Sequence, residues 1–170
     1  RLLKAGATVS RAADGTWIIP SNGTSRPIVE RAARELGLNF TAGAAAGATP
    51  VKSLRVALWD RYGGSMPAGW TRFLLEQYEF NFTVVYAQDI DAGNLNSKYD
   101  AIVFVDGAIP ARQTGAPAGG RGGFGGGGPD TASLPAELRR TVGNISAQRS
   151  IPEIRKFVEN GGIIITIGSS

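Results

Sequence analysis

Two carboxylates and two hydroxyls stand where a protein chain can put such groups to chemical use. Asp60 follows the apolar run Leu54 to Trp59, Asp106 follows Ala101 to Val105, and Ser169 and Ser170 follow Ile163 to Ile167. An acid at the carboxyl end of a strand can hold a divalent cation or accept a phosphoryl group, and a hydroxyl beside it can bind the same ligand. Beyond Asp60 the chain reads Arg61-Tyr62-Gly63-Gly64-Ser65-Met66-Pro67, a glycine-rich turn running into a helix. The backbone N–H groups of such a turn can cradle an anion. The same residues also make a corner, with Ser65 as N-cap and Pro67 just inside the first helical turn. The turn matches neither the P-loop nor the dinucleotide fingerprint, so capping is the reading adopted here.

The chemistry open to these groups is narrow. The 170 residues contain no histidine and no cysteine, which removes imidazole bases, thiolate nucleophiles, Ser-His-Asp triads and most zinc sites together. Carboxylates, hydroxyls, lysine and backbone remain. The formal charge of +4 comes from scattered arginines interleaved with acids, which argues against a nucleic-acid footprint. Only the single RGGF at Arg121 resembles the repeated Arg-Gly-Gly units that bind RNA, and the basic residues Arg26, Arg31 and Arg34 are diluted by Glu30 and Glu35. No apolar run reaches the length of a bilayer span.

The elements that must position the candidate groups follow from pattern. In residues 1–40 a strand from Ala7 to Arg11, an Asp14-Gly15 turn and a strand from Thr16 to Pro20 read as a hairpin. A helix from about Pro27 to Leu36 follows, ended by Gly37. Residues 41–53 are small and read as a linker. From Leu54 strands and helices alternate. The strands are Leu54 to Trp59, Asn81 to Tyr86, Ala101 to Val105 and Ile163 to Ile167, none with polar alternation, as in a parallel sheet covered on both faces. The helices are predicted over Pro67 to Phe80, near Asp91 to Asn96, around Leu134, Leu138 and Val142, and from a capping box at Ser150 and Glu153 through Ile154, Phe157 and Val158 to Gly161. Trp70 and Tyr78 are expected in the core or between subdomains. Between Gly115 and Gly128, nine of fourteen residues are glycine, so a mobile loop is expected over about 111–130. The expected fold is α/β, a doubly wound, flavodoxin-like parallel sheet preceded by a hairpin and helix. Its strand ends bring Asp60, Tyr62, Gly63, Gly64, Ser65, Asp106, Ser169 and Ser170 to one ligand-binding rim. Both ends read as cut, since no helix covers the last strand and no initiator Met opens the chain.

Two resemblances bear on that rim. Its layout is topologically similar to response-regulator receivers, which bind magnesium beside a phosphorylated Asp; there Asp60 and Asp106 would take part, but Arg61 stands where a second acid is usual. The stretches LRVALWDRYGGSMPAGWTRFLLEQYEFNFTVVY, DAGNLNSKYDAIVFVDGAIP and IRKFVENGGIIITIGSS together resemble the region after the catalytic domain of large bacterial zinc carboxypeptidases of the carboxypeptidase A type, a region similar to class I glutamine amidotransferase domains. Tyr62 to Pro67 with Gly69-Trp70-Thr71 is its most specific part, and the glycine-rich segment departs from it.

The resemblance implies a truncated amidotransferase-like domain over residues 54–170 of an exported, periplasmic or secreted protein. Zinc, held by two histidines and a glutamate, would belong to the parent's catalytic domain and not to this chain. Amidotransferases carry a nucleophilic cysteine in the turn that here reads Gly168-Ser169-Ser170, so no catalytic residue transfers. The expected role is therefore non-catalytic: packing, substrate positioning or attachment to a partner, foremost the rest of its own polypeptide. The alternative is a structural subunit of a larger assembly, touching other subunits through the rim, Trp17 or the glycine-rich loop. The third is the magnesium-binding receiver.

Overall fold

Asp14-Gly15 turns the chain as its sequence predicts. In a computed structural model describing residues 1–43, 47–109 and 131–170, Val9–Arg11 (β1) and Trp17–Ile18 (β2) pair antiparallel, Arg11 opposite Trp17. Gly15 takes φ +90°, and the Asp14 carboxylate accepts the Thr16 N–H at 2.9 Å. Helix α1 (Ser25–Leu36) ends at Gly37, whose φ of 65° is the left-handed cap expected there. Thr49–Val51 (β3) pairs antiparallel with β1, which corrects the linker assignment for those residues. Pro50 reads as a breaker in sequence, but β3 is an edge strand, where a missing N–H is tolerated.

The four apolar runs form a second sheet, parallel throughout: Val56–Trp59 (β4), Phe82–Val85 (β5), Ala101–Phe104 (β6) and Ile163–Thr166 (β7), in the order β5-β4-β6-β7. Leu58 lies opposite both Val84 and Val103, and Val103 opposite Ile165. Leu58, Trp59, Ile102 and Phe104 are essentially closed to solvent, each such side chain worth about 1.5–3 kcal/mol of burial. The chain is thus α/β, a four-stranded parallel sheet flanked by helices plus a small antiparallel sheet. It divides into two compact units, Arg1–Ser53 and Leu54–Ser170.

Helix α2 (Met66–Gln77) links β4 to β5, with Ala68 buried and Thr71 and Leu75 half-buried on its inner face. The stretch expected near Asp91 to Asn96 is two short helices, α3 (Ala87–Asp91) and α4 (Leu95–Lys98), because Gly93 and Asn94 both adopt positive φ and break the turn. The helix around Leu134 shrinks to α5 (Ala136–Arg139). Helix α6 (Ser150–Glu159) buries Ile154 and Phe157, whereas Val158 is exposed. Its predicted capping box does not form. The buried Ser150 hydroxyl instead donates to Asp91 Oδ1 at 2.6 Å and accepts the Ser146 N–H, while Glu153 pairs with Lys156. A charge-assisted bond inside the fold outcompetes an ordinary cap. Gly161 stops α6 in the left-handed region as expected. The glycine-rich segment expected to be a loop, with Arg112 and Arg121, and residues 44–46 of the linker lie outside the described residues.

Candidate functional site

Where β6 leaves the sheet, Val105 is buried, Asp106 is exposed and Gly107 turns at φ +74°, the turn closed by the Ala108 N–H on the Val105 carbonyl. Where β7 leaves it, the Ile167 N–H still reaches the Phe104 carbonyl at 2.9 Å, and Gly168 then turns at φ +69°. That turn delivers both serines to the neighbouring strand end. The Ser169 N–H and hydroxyl donate to Asp106 Oδ1 at 2.8 and 2.6 Å. The Ser170 hydroxyl donates to the Val105 carbonyl and accepts the Ala108 N–H at 2.9 Å. The Ile109 N–H also reaches the Ser170 hydroxyl at 3.4 Å, so two strand ends are clipped together by five hydrogen bonds through two serines.

Gly168 is required by this clip twice over. Its φ disfavours any side chain, and a Cβ there would stand 2.5 Å from Asp106 Oδ1. The bonds from the Ser169 hydroxyl and N–H hold the Asp106 carboxyl below its ordinary value, since they favour the charged form.

Asp60 works differently. Its N–H continues the β4–β5 ladder onto the Val85 carbonyl, and its Oδ1 accepts the Arg61 N–H at 2.8 Å. Gly63 and Gly64 follow at φ +78° and +75°, Gly64 donating to the Arg61 carbonyl, and Tyr62 is half-buried between. Ser65 is extended and its hydroxyl accepts the Ala68 N–H at 3.2 Å, the N-cap expected from sequence. With Pro67 lacking an N–H and Ala68 already capped, Met66 is left to supply a first-turn donor. That is a poor anion cradle.

The structure thus joins Asp106, Ser169 and Ser170 by hydrogen bonds at one corner, while Asp60 to Ser65 form the turn that leaves β4, the strand beside β6. Among the described residues no group of three or more Asp, Glu, His or Cys is placed to hold a metal ion. The two histidines and glutamate of a carboxypeptidase zinc site have no counterpart in a chain without histidine, so these residues do not fit that metal.

Sequence reasoning missed two features. Trp59 Nε1, at the last residue of β4, is the one buried side-chain polar atom without a hydrogen-bond partner among the described residues. Trp70 and Tyr78 are not core residues: with Met66, Phe73 and Leu74 they form an exposed apolar arc on α2. The signal was present, because apolar residues occupy two arcs of α2 and only the one through Ala68 and Leu75 reaches the core. Among the described residues no helix is long and apolar enough to cross a membrane. Compared with protein-family models, curated proteins and solved structures, the chain gives no significant match to any, so its two strand-end corners stand on their geometry alone.

Proposed function

We propose that this chain is a non-catalytic accessory domain of an exported zinc-carboxypeptidase-like protein, binding or positioning the rest of its polypeptide or a partner. The frame we assign is flavodoxin-like, as in class I glutamine amidotransferases. The strand order supports it, being the 2-1-3-4 portion of the 2-1-3-4-5 order of such doubly wound sheets.

One observation carries the non-catalytic reading: the hydroxyls at the strand ends spend their protons on the fold. Ser170 donates to the Val105 carbonyl. Ser169 donates to Asp106, which has the look of a nucleophile and its base. A general base works best with a pKa near the operating pH, and the bonds that hold Asp106 below the usual carboxylate range make it a weak acceptor of a serine proton. With imidazole and thiol absent from the sequence, neither of those groups can take its place.

A second reading, a structural subunit of a larger assembly, is favoured by the exposed arc on α2 and by Trp17, which is 57% exposed under the Arg11 guanidinium. The coding sequence upstream of Arg1 separates the two. A His-x-x-Glu motif with a later histidine is expected there; an upstream region without it, in a chain that co-purifies with fixed stoichiometric partners, overturns the peptidase parent in favour of the subunit.

A further inference from the structure

Helix α2 carries more apolar surface outward than inward. Met66, Trp70 and Leu74 recur every four residues and Tyr78 continues the row at the C-cap, with Phe73 beside it. They are 77, 64, 54, 75 and 48% exposed respectively. Trp70 and Phe73 are set edge to face, centroids 6.1 Å apart. Residues four apart make the ridge that packs into the grooves of a second helix.

We propose that this arc is a self-association surface, α2 packing antiparallel against α2 of a second copy about a two-fold axis passing between Phe73 and Leu74. Area supports it. An aromatic side chain fully buried covers about 150–250 Å², and Trp70, Phe73 and Tyr78 remain 64, 48 and 75% exposed, so with Met66 and Leu74 they still offer several hundred Å² toward the ~800 Å² each partner gives a stable interface. Charge agrees as well. Arg72 and Glu76 neutralise each other at 2.8 Å on the polar flank, and the arc itself carries no charge, so it can face its own image without repulsion. Antiparallel symmetry also answers the polar atoms. Gln77, the polar residue within the arc, comes opposite Trp70 of the second copy, pairing an amide oxygen with the indole N–H. A two-fold contact repeats each such pair and closes the assembly at two copies.

Sedimentation velocity on the full 170-residue chain tests this. The expected result is a concentration-dependent dimer, converted to monomer by Leu74→Glu with unchanged circular dichroism, since the inner face through Ala68, Thr71 and Leu75 is untouched. Because the sequence has no cysteine, Leu74→Cys gives a second readout: oxidation links it into a covalent dimer, whereas Glu159→Cys on α6, which keeps the arc, dimerises without forming the covalent link. A chain that is monomeric at its highest soluble concentration overturns the proposal, as does a dimer that survives Leu74→Glu. An arc protected from hydrogen exchange only within a longer polypeptide, or only by a different protein, overturns it as well. The accessory role stands apart from these outcomes, because it is tested by the upstream sequence and by activity.

Discussion

Asp106 and Gly168 are the pair on which the β6–β7 corner turns. The Asp106 pKa is lowered in the fold, so its bonds to Ser169 stabilise the protein fully above the ordinary carboxylate value of about 3.9 and are lost as pH falls through the lower folded value. Asp106→Asn keeps an oxygen for Ser169 and removes the charge. Its stability, followed by urea titration, is therefore expected to fall less steeply than wild type across that acid window; an equal slope would show that Asp106 does not contribute. Gly168→Ala must accept both a left-handed φ and a methyl against Asp106 Oδ1, a loss of about 1–3 kcal/mol visible as a lower thermal midpoint. The candidate positions were legible because a residue following an apolar run lies at a strand end. Their hydrogen-bond partners were not, since they depend on the φ of Gly168, which the one-letter pattern does not encode.

The elements legible in sequence were those whose pattern had a single physical explanation. The run Ala101 to Val105, without polar alternation, reads as a strand covered on both faces, and β6 is. Ser65 with Pro67 starts α2, and Gly161 stops α6. Elements decided by tertiary competition were misjudged. The Ser150 hydroxyl prefers Asp91 to its own helix, Thr49–Val51 finds an edge despite Pro50, and Gly93-Asn94 divides one expected helix into two. Helix α6 is anchored by Phe157, 1% exposed, whose ring lies against Gly162 where the chain enters β7. Phe157→Ala is expected to cost about 3–5 kcal/mol by chemical denaturation. Gly162→Ala should also destabilise, because its methyl and that ring compete for one space; a neutral Gly162→Ala would mean that the α6–β7 junction is loose.

At the scale of the whole molecule, the class of fold was readable and its use was not. Alternating strand and helix signals announce a parallel sheet, and the sheet is there with helices around it. The exposed Ile163 and Ile165 on β7 show how little the pattern says about what covers a strand. The Leu54–Ser170 unit holds its own core, from Leu58 through Phe104 to Phe157, and is expected to unfold cooperatively when expressed alone. A non-cooperative melt of that segment would show that its core depends on residues 1–53. The central claim is that the strand-end groups bind the fold together and transform nothing. Its most direct test is incubation of the purified chain with glutamine and with peptides, measuring ammonia and free C-terminal amino acid. The account predicts no release above buffer; release that co-purifies with the chain and disappears in Ser169→Ala would contradict it.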